Sequence, residues 1–184
     1  MKTIPVYPGH IAIVDTDDHE RLSKFKWTLH QKGNCKYARR NKRHPDGRQS
    51  TILMHREILS SPMIDHIDGN GLNNQRINLR PCTNSQNSAN RKKSKRNTSG
   101  FKGVCKRSKR WDAYIRVGGI QIHLGRFDTP EQAAHAYDRK AVEVFGEFAR
   151  LNFPETTGQN SANRKKSKAD KGDALKEVFD QLEK

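Results

Sequence analysis

Short apolar segments alternate with turn residues along the first 54 positions of the chain. HIAIVD, FKWTL, CKYA and STILM each have the length and the residue types of one strand. The residues from 16 to 24 favour a short helix, with Thr16 as its N-cap. Pro-Asp-Gly at 45–47 supplies turn chemistry between the last two strands. This pattern predicts a small β-rich unit.

The pattern changes over residues 54–90. MHREIL predicts one short helix, and Ser60-Ser61-Pro62 ends it. IDHIDGNGLNNQRINLR contains two glycines, four asparagines and few helix formers, so it predicts a strand, a loop and a second strand. TNSQNSANRK then predicts a helix with Thr83 as its N-cap.

A second unit is predicted beyond the polar, basic stretch 91–99, which has the composition of a linker. FKGVCKRS, RWDAYIRVG and IQIHLGRF predict three strands, and Gly118-Gly119 suits a hairpin turn between the last two. Thr129 opens a predicted helix that ends at Gly146. Alternation directs a set of apolar strand residues toward this helix: Trp111, Ala113, Ile115, Val117, Ile122 and Leu124.

These elements predict the α+β fold class. Residues 1–96 combine the β-rich unit with a core at about 50–95, and residues 97–154 form the second unit. Residues 155–184 are polar and basic, and they are predicted to form a flexible tail.

The chain is strongly basic. It carries 36 Lys and Arg against 20 Asp and Glu, a net charge of +16, with 32% hydrophobic residues. This balance favours a polyanionic partner, above all nucleic acid. No apolar run is long enough to cross a bilayer and no secretory leader is recognisable, so we expect an intracellular, cytoplasmic protein with no membrane partner. Three cysteines without a CxxC pair indicate neither a disulfide framework nor a zinc site.

Residues with metal and acid–base chemistry cluster in the strand–loop–strand segment and after it. Asp65, His66, Asp68, Asn78 and Asn87 lie within 23 residues. Hydrolysis of a phosphodiester requires a base that activates water and a divalent cation that holds the phosphate. His66 can be the base, and a carboxylate with an amide oxygen can hold Mg²⁺. The residue types alone also leave a turn-forming role open, because Asn, Asp and Gly are common in turns.

The pattern DHIDGNxLNNxxxNLRxxTxxxN resembles the HNH endonuclease superfamily, in the branch of phage and intron homing endonucleases with Asn in place of the last His. The resemblance covers about residues 50–95 and implies a ββα-metal core. It implies His66 as general base, Asn78 as a brace of the loop, and Asp65 with Asn87 as ligands of one Mg²⁺ or Mn²⁺. It implies no structural zinc, because the members that hold structural zinc carry CxxC pairs near the motif.

One point of geometry stays open from the sequence. Adjacent side chains on a regular strand point to opposite faces, so Asp65 and His66 converge on one metal only if the strand bends or ends there. If the strand is regular, Asp68 becomes the rival carboxylate. The family pattern favours Asp65. His55, in MHREIL, is not included in the predicted catalytic set.

The second unit resembles the plant Apetala-two/ethylene-response-factor DNA-binding domain through SGFKGVCKRSKRWDAYIR, IHLGRFDTPEQAAHAYDRKA and GEFARLNFP. The resemblance covers about residues 99–154 and implies a three-stranded antiparallel sheet, backed by one helix, that lies in the major groove of double-stranded DNA. The Arg and Gln residues of this sheet can form hydrogen bonds to base edges and so read the sequence. Alternatively, they can contact phosphates and read no bases. The predicted DNA-binding residues are Lys102, Arg107, Arg110, Tyr114, Arg116, Gln121 and His123. Lys102, Cys105 and His123 depart from the plant pattern, so the docking mode carries over while the recognised sequence does not.

These features together predict a phage- or bacterium-encoded homing endonuclease that nicks or cuts duplex DNA. The alternative is a non-catalytic DNA-binding protein, such as a transcriptional regulator.

The decapeptide QNSANRKKSK occurs twice, at 86–95 and at 159–168. Only the first copy follows the Asp65-His66 pair, so Asn87 and not Asn160 is the predicted ligand. The second copy is interpreted as a basic tail segment.

Overall fold

The computed structural model describes residues 1–33 and 35–154. The chain divides into two compact units, Met1–Asn90 and a second that begins at Arg91. The predicted tail, residues 155–184, with its copy of the decapeptide, lies outside the described residues. Across the described ranges, no helix is both long and apolar enough to cross a membrane.

Five strands form the main sheet of the first unit: β1 (Lys2–Tyr7), β2 (His10–Val14), β3 (Trp27–Lys32), β4 (Cys35–Arg43) and β5 (Gln49–Leu53). They make one sheet in the order β2-β1-β3-β4-β5. Neighbouring strands are antiparallel except β1 and β3, which run parallel.

Strand β1 is not predicted by the sequence pattern, because Pro5 lacks the N–H group that a hydrogen-bond ladder requires. The structure accommodates this residue because β3 pairs only with Val6 and Tyr7, beyond the proline. The buried face of the strand holds it in place, since Ile4 and Val6 are 2% and 1% exposed.

Two short helices accompany this sheet, α1 (Thr16–Ser23) and α2 (Met54–Leu59). The prediction that Thr16 caps α1 is wrong, because Asp15 is the N-cap and Thr16 is already helical. The Asp15 carboxylate makes no capping hydrogen bond; it accepts the main-chain N–H of Arg76 at 2.7 Å. The apolar core of the unit contains Ile4, Val6, Ala12, Val14, Leu22, Trp27, Ala38, Met54, Ile58, Ile64 and Leu79.

The strand–loop–strand–helix segment completes the first unit. Strand β6 (Ile64–His66) pairs antiparallel with β7 (Leu79–Pro81), and α3 (Asn84–Ala89) follows. Thr83 caps α3 as predicted, because its hydroxyl accepts the Gln86 N–H at 3.2 Å. The Gln86 side chain accepts the Thr83 N–H at 2.8 Å in return, which completes a capping box.

The loop between β6 and β7 is anchored on the amino-terminal sheet. Asn74 donates its main-chain N–H to Ile13 at 2.7 Å, and the Leu72 carbonyl accepts the N–H of Ile13 at 2.8 Å. Arg76 donates two hydrogen bonds, at 2.7 and 2.9 Å, to the buried Asp18 carboxylate. The loop therefore has a fixed position relative to β2 and α1.

The second unit is a three-stranded antiparallel sheet in the order β10-β9-β8, formed by β8 (Val104–Arg107), β9 (Arg110–Val117) and β10 (Ile120–Phe127). Helix α4 (Pro130–Phe145) begins after the predicted N-cap, Thr129. The apolar core of the second unit contains Val104, Ala113, Ala133, Ala134 and Ala136. Partly buried side chains pack against it: Phe101, Trp111, Leu124, Phe127 and Phe153. The sheets and helices of the two units confirm the α+β class.

Close contacts hold the turn before β8 against α4. Gly103 has a φ of +77°, and a Cβ atom there would overlap the Tyr137 ring, so only glycine fits. The Asn152 side chain accepts the Lys102 N–H at 2.7 Å, and the Asn152 N–H is donated to Asp138 at 2.9 Å. These bonds tie Asn152 to α4 and to the turn before β8.

Candidate active site and nucleic-acid interface

Strand β6 presents Asp65 and His66 side by side, each only 5% exposed. The strand is regular here, with Asp65 paired to Arg80 and His66 paired to Leu79 across the ladder. The two side chains contact different groups, as expected for adjacent positions of a strand. Asp65 and His66 therefore lie in two different environments, one on each side of β6.

His66 lies in a cluster of aromatic and polar side chains. Its Nε2 is 3.3 Å from the Asn74 amide oxygen, and its ring is 4.9 Å from the His55 ring and 5.9 Å from the Tyr37 ring. Burial lowers the pKa of His66, against the opposing effects of the Asn74 hydrogen bond and the carboxylates of Asp68 and Asp65. The imidazole is therefore neutral at pH 7 and can accept a proton.

Asp65 faces Arg80 and the end of α3. Arg80 donates to one carboxylate oxygen of Asp65 through Nε at 3.1 Å and Nη2 at 2.8 Å. Both members of this ion pair are buried, with side chains 6% and 12% exposed. Asn90, at the C-cap of α3, donates its amide to both carboxylate oxygens at 3.0 Å.

Four oxygen atoms converge on the Nδ2 atom of Asn90. They are the two Asp65 carboxylate oxygens at 3.0 Å and the main-chain oxygens of His66 and Ile67 at 2.8 and 3.3 Å. An amide NH₂ group has only two hydrogens, and other donors reach the same oxygens: Arg80 donates to Asp65, and the Gly69 N–H donates to the His66 main-chain oxygen at 2.8 Å. Clustered carboxylate and carbonyl oxygens are the ligands that hard divalent cations prefer.

Asn87 lies on α3, three residues before Asn90. Its amide nitrogen is 3.8 Å from the sulfur of Met63, and the residue is half-buried. The structure therefore brings Asn90, and not the predicted Asn87, into hydrogen-bond contact with Asp65. Both asparagines occur in the segment TNSQNSANRK, but residue types alone do not distinguish them.

Asn78 braces the loop that leads from β6 to β7. Its amide oxygen accepts the Asp68 N–H at 3.0 Å, and its amide nitrogen donates to Asp68 at 3.0 Å and to the Asn73 carbonyl at 2.8 Å. Burial alone would raise the pKa of Asp68, but hydrogen bonds from Asn70, Asn73 and Asn78 outweigh it and lower the pKa. The Asp68 carboxylate is thus engaged by the donors of its own loop.

His55, which the sequence does not single out, packs against His66. It is 5% exposed, and its Nδ1 has no hydrogen-bond partner within the part of the chain that the structure describes. Burial first, and then the electrostatic effects of His66 and Arg56, lower the pKa of His55 to about 3. A second neutral imidazole therefore lies beside the predicted base.

The second unit carries most of its predicted DNA-binding residues on the side of the sheet opposite α4. Cross-strand pairs place Arg107 beside Arg110, Gln121 beside Arg116, and His123 beside Tyr114. We call this surface the outer face; it contains Arg107, Arg110, Asp112, Tyr114, Arg116, Gln121, His123 and Arg126. Asp112 and Arg126 are not among the residues predicted for it.

Lys102 lies elsewhere, in the turn before β8. Its ammonium group is 5.9 Å from the centre of the Tyr137 ring of α4. Burial first, and then the charge of Arg150, lower the pKa of Lys102 to about 8. A contact between this side chain and DNA stays a prediction.

Comparison with known proteins connects both units to described relatives. The chain is 37% identical over 145 residues to an uncharacterised HNH endonuclease of Acanthamoeba polyphaga mimivirus, over 78% of this chain and 75% of that protein. It is 42% identical over 90 residues to Protein 3.8 of Escherichia phage T7, over 48% of this chain and 74% of that protein.

A plant relative matches over a shorter span. The chain is 45% identical over 58 residues to an AP2-like ethylene-responsive transcription factor of Arabidopsis thaliana, over 30% of this chain and 12% of that protein. No family model matches the chain, and no solved structure matches it either. The extended match to the mimivirus protein and the plant matches together establish that the chain belongs to the HNH endonuclease family and combines this core with an Apetala-two-like domain.

Proposed function

We propose that this protein is a metal-dependent homing endonuclease that hydrolyses phosphodiester bonds in duplex DNA. The observation that carries the proposal is the pair at β6, where a buried neutral imidazole follows a buried carboxylate at the edge of an oxygen cluster. This pair lies in a strand–strand–helix segment of a chain that belongs to the HNH endonucleases.

His66 is the proposed general base. Its Nε2 can donate to the Asn74 oxygen, which leaves the lone pair of Nδ1 to accept a proton from the attacking water. The neutral form is the one that burial favours. Asn78 acts as the predicted brace, because it holds the loop between β6 and β7 through Asp68 and Asn73.

Asp65 and Asn87 are the proposed protein ligands of Mg²⁺ or Mn²⁺. The donor set of the site fits such an ion, because main-chain oxygens of His66 and Ile67 accompany the Asp65 carboxylate. The rival carboxylate, Asp68, accepts hydrogen bonds from Asn70, Asn73 and Asn78, whereas Asp65 shares the Asn90 amide with the main-chain oxygens of His66 and Ile67. A bound divalent ion would stabilise negative charge on the phosphate and the leaving oxygen.

The second unit is proposed to deliver duplex DNA to this site. Its outer face carries four arginines, Arg107, Arg110, Arg116 and Arg126, and the whole chain has a net charge of +16. Cationic surfaces of this kind bind the phosphate backbone through release of counterions. The plant relatives, which are transcription factors, support a DNA-binding role for this unit.

Incubation of the full chain with supercoiled plasmid tests the proposal. With Mg²⁺ or Mn²⁺ we expect nicked or linear DNA, and with EDTA we expect none. His66→Ala should bind the plasmid as the unsubstituted chain does and leave it intact. Plasmid binding without cleavage in either metal would instead favour the non-catalytic DNA-binding protein.

A further inference from the structure

The outer face of the second unit contains one carboxylate among its cations. Asp112 is 1% exposed, although it lies on the side of β9 away from α4. It accepts hydrogen bonds from Arg126 Nε at 2.7 Å, Arg126 Nη2 at 3.2 Å and the Tyr114 hydroxyl at 3.2 Å. Arg107 and His123 lie 3.9 and 3.8 Å from its oxygens. Four side chains of this face therefore cover Asp112.

Arg126 reaches this face because of an irregularity in β10. His123 pairs with Tyr114, but the register shifts before Gly125, which pairs with Ala113, so that Arg126 pairs with Asp112. Gly125 has a φ of +127°, a conformation that favours glycine. Without this bulge, strict alternation from His123 would direct Arg126 toward the helix.

The ion pair leaves one edge of the half-exposed Arg126 guanidinium unused by Asp112. Both hydrogen bonds to Asp112 use the Nε and Nη2 side of the group, so hydrogens on Nη1 and Nη2 remain along the other edge. The arginine side chain is 53% exposed, whereas the Asp112 side chain is 2% exposed. Two parallel N–H groups along one edge match the O6 and N7 acceptors of guanine.

Asp112 fixes the direction of this edge. The hydrogen bond from Arg126 is the main cause that lowers the pKa of Asp112, so the carboxylate is ionised at neutral pH. Tyr114 donates to the same carboxylate, and its ring packs 4.9 Å from the His123 ring. A long arginine held in one orientation loses less conformational freedom when it binds a base.

We propose that Arg126 reads a guanine in duplex DNA and that Asp112 is the residue that positions it. This inference rests on the proposed binding of duplex DNA by the second unit. It adds one base-specific subsite, at a residue that the sequence pattern does not predict. An arginine that contacts only phosphate would occupy the same surface, and the experiment separates the two roles.

Selection from a pool of duplexes with randomised sequence, by the full chain, tests the inference. The unsubstituted chain should select a G·C pair at one position of the bound sequence. Arg126→Lys keeps the charge but lacks the two-pronged edge, so it should bind random duplex as before and lose discrimination at that position by roughly 5- to 150-fold. Asp112→Asn should weaken the preference at the same position and leave the others in place.

Arg139→Ala is the matched control, because Arg139 is an exposed arginine of α4 and not of the outer face. It should leave every base preference unchanged. Retention of the full guanine preference by Arg126→Lys, or a pool with no preferred base for the unsubstituted chain, would overturn the inference and leave duplex binding intact. Absence of duplex binding by the unsubstituted chain would overturn the proposed function itself. Circular dichroism of each variant checks that it is folded.

Discussion

The pair at the candidate active site and the pair on the outer face each bury an aspartate against an arginine, but the two arginines differ in exposure. The side chains of Asp65 and Arg80 are 6% and 12% exposed, so this pair is enclosed in the first unit. The side chains of Asp112 and Arg126 are 2% and 53% exposed. An enclosed ion pair can hold the carboxylate of an oxygen-lined site in place, whereas a half-exposed arginine can also contact a ligand at the surface. We therefore propose a role in catalysis for the enclosed pair and a role in DNA recognition for the half-exposed one.

The largest expected effect is the loss of DNA cleavage when the proposed base of the first unit is replaced. His66→Ala removes the proposed base and should lower the rate of plasmid cleavage by about 10²- to 10⁴-fold, with affinity for the duplex unchanged. Single-turnover cleavage and a filter-binding assay on the same preparation measure the two quantities. Arg139→Ala is the control that should cut normally. Cleavage by His66→Ala at an undiminished rate would remove His66 from the mechanism.

The enclosed pair should matter more for stability than the half-exposed one. Asp65→Asn leaves the buried Arg80 charge without its carboxylate and should lower the free energy of unfolding of the first unit by about 3–5 kcal/mol. Asp112→Asn should cost less, because Arg126 remains solvated. Amide hydrogen exchange, followed by mass spectrometry of peptides from β6, β7 and β9, separates the two units. Equal losses of protection in both units would contradict this comparison.

The two copies of QNSANRKKSK give a matched comparison of two asparagines. Asn87→Ala should lose metal-dependent cleavage, because it removes a proposed metal ligand, whereas Asn160→Ala should cut normally. Titration with Mn²⁺ should restore part of the activity of Asn87→Ala at high concentration. Asn90→Ala is the further variant, since Asn90 contacts Asp65 directly. An inactive Asn160→Ala would place the second copy in an active site.

The sequence predicted regular elements better than side-chain partners. Alternation along β9 correctly directed Ala113 and Ile115 into the core and Arg116 out of it, because the strand is regular. The same rule fails in β10, where a bulge reverses the expected direction of Arg126. Gly125 is the one sequence signal of that bulge, since glycine inside a strand often marks an irregularity.

Residues of the candidate site that come from distant segments could not be predicted. His55 lies beside His66 because α2 packs under β6, a tertiary contact that no local pattern records. Asn90 contacts Asp65 because α3 ends next to β6, whereas spacing alone also allowed Asn87. Motif spacing identifies which residue types occur together, but packing decides which of them touch.

Mild acid should destabilise the first unit through His55. In the unfolded chain His55 binds a proton near pH 6.5, whereas in the folded chain it binds one only near its pKa of about 3. Protons therefore bind the unfolded chain preferentially, so the stability of the folded chain should fall as the pH drops below 6.5. Between pH 7.5 and 5.5 this amounts to about 1.4 kcal/mol. Asp112, whose pKa is lowered from the ordinary 3.8, loses its contribution only at more acidic pH.

Urea unfolding of the full chain in EDTA, followed by circular dichroism at pH 7.5 and 5.5, measures this acid effect. His55→Phe keeps a buried ring and removes the titrating group, so its stability should depend less on pH than that of the unsubstituted chain. His123→Phe is the matched control on the outer face, where the histidine side chain is 48% exposed. The fall in stability that His55→Phe removes should remain in His123→Phe. An undiminished fall in His55→Phe would assign the acid sensitivity to another group.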